Sequence, residues 1–322
     1  MQIRGSIGTL AVLKLVQMKM LEEPTTAYLL QYSPKGCKAQ CLFCPQSASN
    51  RSNKDLVSRV PWPKVEFEKI VHVLKCQNPF LRICIQTVLK QDFQVEIIEI
   101  VKSIRNAGLE TPISVATTPV NISTLEALKS LGVDHLGIGL DVASLEKFNS
   151  FKIPFNFENF LKFIDKSIEV FGSDHVYVHL IFGLGEKEIE FVKMMEVVYR
   201  KGAAVALFSF TPIPGTSTSN FPSPKLERYR LMQIIRLFLS RGHTLQEIIE
   251  DDVEEIKLRK KISKEVFDNA FITSGCPGCN RPFYNERPTQ IYNYPSAKSL
   301  SCESGLVLKQ IHQICEGTGW KS

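Results

Sequence analysis

The segment GCKAQCLFCPQS, residues 36–47, sets three cysteines at the spacing C-x3-C-x2-C immediately after the apolar run AYLLQYS of residues 27–33. Thiolates from Cys37, Cys41 and Cys44 suit three irons of a four-iron, four-sulfur cluster, because one short loop can wrap a cube corner by corner. The fourth iron then has no protein ligand and stands open to a substrate or cofactor, which fits chemistry better than simple electron storage. Gly36 allows the backbone to approach such a cluster closely, and Phe43, between the last two ligands, can shield one of its faces. The competing reading is a zinc knuckle without its fourth ligand; no histidine follows at a suitable zinc spacing.

Outward from this loop, β-branched and aromatic runs alternate with amphipathic segments. Strands are expected at 27–33, 81–89, 112–119, 134–142, 175–185 and 204–216. The clearest helix is VEIIEIVKSIRNAG, which carries Ile97, Ile98, Val101 and Ile104 on one stripe and stops at Gly108. Six βα units with nearly continuous apolar strands imply an α/β fold around a parallel sheet covered on both faces. The period of about 30 residues is that of a βαβ unit and not of a solenoid, since the units share no sequence similarity. After Gly242 the chain turns strongly charged and then rich in Pro, Asn, Gly and Tyr. This places a boundary there, with the basic run Arg259, Lys260 and Lys261 on a solvated helix face. The expected organisation is an N-terminal extension at 1–24, a βα body at 25–242 and a cysteine-containing extension at 243–322.

The composition agrees with a globular protein. Of 322 residues, 44% are apolar and 22% charged, which excludes disorder and collagen-like repeats. The net charge of +6 (39 basic less 33 acidic residues) is too small to argue for nucleic acid or an acidic membrane as partner. No apolar run approaches the ~18–20 residues that span a bilayer. Lys14 and Lys19 interrupt the N-terminal stretch GTLAVLKLVQMKM and no small-residue cleavage site follows, so it reads as a helical cytosolic extension. Nine cysteines, an odd number and clustered, favour metal binding over disulfides in such a chain.

Cys37, Cys41 and Cys44 after the first βα strand resemble the radical S-adenosylmethionine superfamily, over about residues 25–242. The resemblance implies a partial TIM-like barrel of about six βα units. It also implies a 4Fe-4S cluster whose open iron chelates S-adenosylmethionine, and cleavage of that cofactor to methionine and a 5′-deoxyadenosyl radical. HLIFGLGE (179–186) is similar to the superfamily's adenine-contacting segment through Ile181, Gly183 and Gly185, with His179 departing at the first position. TPIPGT (211–216), with Pro212, Pro214 and Gly215, is similar to the segment beside the adenine in biotin-synthase-like members. Asp141 stands where relatives place a polar group toward the ribose. On the second strand Gln86-Thr87 replaces the frequent Gly-Gly-Glu. All these positions lie at the C-terminal ends of strands, where barrels carry function. Taken alone, Gly183 and Gly185 are also turn glycines and Asp141 a helix N-cap, while His135, His175 and His179 read as packed or hydrogen-bonded side chains.

A second constellation is TSGCPGCNRPFYNERP, in which Pro277-Gly278 turns Cys276 and Cys279 toward one metal. A lone C-x2-C is half a zinc ribbon, a redox dithiol or two ligands of an auxiliary cluster, and no thioredoxin-like pattern surrounds this one. Cys302 and Cys315 are candidate further ligands, whereas Cys76 and Cys84 read as buried structural thiols. Together, the front motif with SRVPWP and the back motif CPGCNRPFYNERP with YNYP resemble the archaeal-type two-component lipoyl synthases. That resemblance implies insertion of sulfur at C6 or C8 of an octanoyl-lysine chain on a lipoyl carrier domain, with an auxiliary cluster at Cys276 and Cys279 consumed as sulfur donor. Its implied partners are a homologous radical enzyme and an electron donor such as ferredoxin. The alternatives are another radical enzyme acting on a small molecule with a zinc-bound tail, and a non-catalytic iron-sulfur scaffold.

Overall fold

Strand β2 (Thr26–Gln31) is buried at all six positions, as a central strand covered on both faces must be. The computed structural model describes residues 1–250, 256–286 and 289–315, with side chains as far as residue 311. Parallel to β2 run β4 (Arg82–Gln86), β5 (Ile113–Thr117), β6 (Val133–Asp141), β7 (Val176–Phe182) and β8 (Ala204–Ser209). Two further strands, β1 (Gln2–Gly5) and β3 (Lys64–Glu66), extend the sheet antiparallel beyond β2, giving the order β8-β7-β6-β5-β4-β2-β1-β3. The helices between parallel strands cover the outer face, so the curved sheet is the partial TIM-like barrel that six βα units predict.

The helix after β4, Phe93–Asn106, shows how the pattern is realised. Its buried face is Phe93, Ile97, Ile100, Val101 and Ile104; Ile100 completes the stripe and Ile98 stays half-exposed, because the 3.6-residue period carries position 98 toward the rim. The N-terminal segment departs from the helical expectation. Only Ile7–Val12 is helical, and Gln2–Gly5 joins the sheet because Ile3, fully buried between Gln31 and Val65, gains more from the core than a solvent-facing helix would provide.

Helix Leu226–Ser240 is buried on almost every side. Its Arg230 donates to the carbonyl of Tyr292 at 2.5 Å and of Ile291 at 2.6 Å, and so anchors the C-terminal segment to the barrel. The basic run Arg259–Lys261 lies outside the helices: the Arg259 side chain donates to Ile249 O at 2.8 Å and Lys260 sits 5.7 Å from the Phe238 ring, contacts that an extended path allows and a solvated helix face does not. Beyond it the tail threads the barrel lengthwise. At the strand starts the hydroxyls of Thr25 and Thr26 donate to Gly278 O, and Arg82 Nε donates to Pro277 O at 2.8 Å. Near the strand ends Thr211 donates to Asn285 O at 2.9 Å. The edge strand β8 is partly satisfied on the way, its Leu207 amide donating to Ser274 Oγ at 2.9 Å. Among the described residues no helix is long and apolar enough to cross a membrane.

Candidate functional site

The cysteine loop leaves β2 through Gly36, whose φ of +77° and lack of side chain are both required: a Cβ there would lie 2.6 Å from the carbonyl oxygen of Gln46. Cys37 N donates to that same oxygen at 2.6 Å and Ala48 N returns a bond to Cys37 O at 2.8 Å, closing the loop on itself. Asn50 reaches into it with Nδ2 and donates to the carbonyls of Cys41, Leu42 and Cys44 at 3.1, 3.2 and 2.9 Å. Its Oδ1 accepts from Ser217 N at 3.2 Å and so ties the loop to the segment after β8. Lys54 Nζ donates to the carbonyls of Pro45 and Asn50 at 3.0 and 2.7 Å. Eight backbone and side-chain bonds of this kind hold the loop in place, and Cys37 Sγ accepts from Leu89 N at 3.2 Å.

Burial pushes all three thiols above the usual thiol range, Cys44 to about 12 with the Cys37 thiol adding to the effect. Thiols so placed give up their protons when a metal cation replaces them. Opposing the burial of Cys37 and Cys41 is Lys152, a cation that sequence reading missed. The Lys152–Ile153 ribbon pairs with Gln40–Cys41, which sets Lys152 opposite Cys41. Its side chain is 1% exposed and donates from Nζ to Asp141 Oδ2 at 2.7 Å and to Gly139 O. Phe160 lies 4.8 Å away, with Phe148 and Phe155 slightly farther. A lone lysine among phenylalanines, in NSFKIPF, was the available signal.

Within the lumen a cavity of about 230 Å3 opens between the cysteine loop and the tail. Of the residues expected to bind cofactor, Gln86, Asp141 and Ile181 line it, and so does Cys44. Asp141 adopts φ of +62° at the end of β6, which turns its carboxylate toward Lys152. Gly183, Gly185, Pro214 and Gly215 are placed in the flanking loops, and Thr211 and Ile213 take the wall beside them. A Cβ on Gly183 would meet the Pro224 ring at 2.9 Å; one on Gly215 would meet the backbone of Arg51 and Ser52 at 2.8–2.9 Å. These glycines therefore serve close packing of the loops around the site. His179 also lines the cavity, in the room left by Gly137. Burial holds its imidazole down to about 4, against the pull of Asp141, so it is neutral near pH 7. His135 and His175 bond to Asp134 instead, at 2.8 Å each.

The tail brings Cys276 and Cys279 to the same cavity. Cys84 from β4 lines it too, whereas Cys302 is exposed on the helix Ala297–Cys302 and Cys76 is exposed on Phe67–Cys76. Cys315 ends the last helix, and its side chain lies outside the described residues. Arg82, fixed by two bonds to Asp134 at 2.6 and 2.7 Å, holds the Pro277 carbonyl and thereby the turn between the two cysteines. Although burial works against it, the bonds from His135 and Arg82 keep the Asp134 carboxyl well below the usual range. Three thiols on one loop, beside a buried cation and an open cavity, fit an iron-sulfur cluster held by Cys37, Cys41 and Cys44.

The profile of the Radical SAM superfamily matches residues 32–198, over half of the chain. No curated protein matches the sequence. Among solved structures the fold is similar to methylornithine synthase PylB, at a TM-score of 0.54 and 16% identity over 66% of this chain and 62% of that one. It is also similar to HydG, a maturase of the [FeFe]-hydrogenase (TM-score 0.53, 14% identity, 67% of this chain and 49% of that one). HydG from Carboxydothermus hydrogenoformans gives 0.52 and 17% over 67% and 52%. The chain thus spans about half to three fifths of the length of these structures.

Proposed function

Because the chain belongs to the radical S-adenosylmethionine superfamily, we propose that it inserts sulfur at C6 or C8 of an octanoyl chain amide-linked to a lysine, as one component of a lipoyl synthase. When bound, the cluster and S-adenosylmethionine supply a 5′-deoxyadenosyl radical able to take hydrogen from an unactivated carbon. Cys37, Cys41 and Cys44 would hold the cluster, and Gln86 and Asp141 would face the cofactor across the cavity. Lys152 offsets negative charge at the loop and fixes the Asp141 carboxylate. Ala116, Ile181, Phe208 and Ile213 line the space between the two thiol groups and exclude water from an alkyl chain.

The observation that carries this reading is the position of the two thiol groups on one cavity. Cys44 enters it from the loop after β2, whereas Cys276 and Cys279 enter from the turn fastened to the strand starts at Thr26 and Arg82. A donor cluster at the tail would then share the cavity with the carbon made reactive beside the first. A homologous radical enzyme, an octanoylated carrier domain and a ferredoxin-like electron donor complete the reading as partners.

The test incubates the anaerobically reconstituted protein, alone and with a homologous partner, with an octanoyl-lysine peptide, S-adenosylmethionine and a reductant. Thiolated peptide is expected by mass spectrometry, with Cys276→Ala and Cys279→Ala still releasing 5′-deoxyadenosine but transferring no sulfur. Stoichiometric zinc in the untreated protein, or thiolated product without Cys276 and Cys279, would refute the donor role of the tail, and no thiolated peptide from the intact protein with its partner would leave a radical enzyme of another substrate.

A further inference from the structure

Strand register puts Cys84 at the centre of a row. Tyr28 of β2 is the neighbour of Cys84 on one side and Ser114 of β5 on the other, at the same level, and all three line the lumen. The two tail cysteines meet the two ends of that row. Cys279 Sγ lies 3.4 Å from Tyr28 Oη, and the Ser114 hydroxyl, itself accepting from Arg82 Nη1 at 2.9 Å, lies beside Cys276 on the same cavity and favours its thiolate. Cys276 and Cys279 therefore straddle Cys84, although 192 residues separate Cys84 from Cys276.

A second observation concerns charge. Arg281, two residues after Cys279, is 9% exposed and forms no ion pair with a carboxylate among the described residues. It lines the same cavity, its guanidinium lies 3.8 Å from the Phe208 ring centroid, its Nη2 donates to Ser274 O at 2.5 Å and to Leu207 O at 3.5 Å, and its Nε is left without a hydrogen-bond partner among the described residues. Its backbone N–H donates to Tyr28 Oη at 2.9 Å, which joins it to the row. A buried guanidinium bonded to neutral carbonyls, with one donor unused beside the thiols of Cys84, Cys276 and Cys279, is costly unless anionic charge accompanies it. A packed structural cysteine explains neither the straddling thiols nor this cation.

We infer that Cys84 is the third thiolate ligand, with Cys276 and Cys279, of an iron-sulfur cluster in the barrel lumen, and that Arg281 is its buried counter-cation. The inference rests on the reading that the tail holds a cluster and deepens it by naming the ligand set. One thiolate from the strand row and two from the turn that crosses it, all on one cavity, suit separate corners of a polynuclear cluster.

The experiment measures iron and sulfide per chain and the electron paramagnetic resonance spectrum after anaerobic reconstitution, for the intact chain and for the Cys37→Ala, Cys41→Ala, Cys44→Ala triple variant. Adding Cys84→Ala to the triple variant should remove most of its remaining iron and sulfide. In the intact chain the same change should cut both by roughly the complement of one cluster. Cys84→Ser, which keeps the side-chain shape, should lower the iron or, by ligating through oxygen, shift the spectrum, while Cys76→Ser at an exposed thiol changes nothing. A triple variant without iron would overturn the cluster reading of the tail, and this inference with it. Iron, sulfide and spectrum unchanged by both Cys84 substitutions, in chains still holding tail iron, would overturn the inference alone.

Discussion

Gly215→Ala tests whether the segment after β8 seats the cysteine loop by backbone contact. At φ of +82° an L-residue pays about 1–2 kcal/mol for the left-handed conformation. The added Cβ would also lie 2.8 Å from Ser52 N and 2.9 Å from Arg51 C and Ser52 Cα, so backbone must move by several tenths of an ångström. Overpacking of this kind costs a further ~1–3 kcal/mol, and it falls on the strand of chain where Arg51 N donates to Gly215 O at 2.9 Å and Ser217 N to Leu42 O at 3.1 Å. Gly242→Ala is the matched control, because Gly242 has φ of +83° and nothing within 4 Å of a built Cβ. It carries the conformational cost without the clash. Urea unfolding of both variants should therefore differ by about 1–3 kcal/mol, and Gly215→Ala alone should lose iron and S-adenosylmethionine cleavage as the loop is displaced. Equal destabilisation of the two variants, with iron retained in Gly215→Ala, would refute the reasoning.

Two other residues give predictions of a different kind. Lys152→Met leaves the Asp141 carboxylate without its cation; breaking a buried pair costs about 3–5 kcal/mol, and the lower end applies because the Asp141 side chain keeps 20% exposure. Loss of the positive charge opposite Cys41 should also make the reconstituted cluster harder to reduce, and an unchanged midpoint in a potentiometric titration would contradict the role given to Lys152. His179 is neutral in the folded protein down to about pH 4, while the unfolded chain takes up a proton near 6.5. Its stabilising effect is thus complete above about pH 6.5 and disappears as the pH falls to 4, a loss on the order of 3 kcal/mol. In His179→Leu the fall in stability between pH 7 and 4 should be smaller by that amount, and parallel profiles of the two proteins would show that His179 does not titrate in this way.

Features that depend on neighbours along the chain can be read from residue order. The C-x3-C-x2-C loop is one short excursion, so its spacing alone tells which thiols lie together, and the alternation of apolar strands with helical stripes alone yields six parallel βα units. That Asp141, Gln86 and Ile181 line the cavity follows from their places at strand ends, which in such a barrel face its mouth. Only the tertiary structure decided the rest. Gln2–Gly5 reads as part of an extension until its pairing with β2 and β3 is seen, and the packing partners of Gly183 and Gly215 belong to other loops. Lys152 becomes a charge beside the cysteine loop through a two-residue ribbon against Gln40–Cys41, and Cys84 becomes a neighbour of Cys276 and Cys279 through strand register and the path of the tail. The physical reason is common to these cases: a side chain's electrostatic surroundings are set within a few ångströms in space, and a barrel brings together at that distance residues that local patterning keeps more than a hundred positions apart.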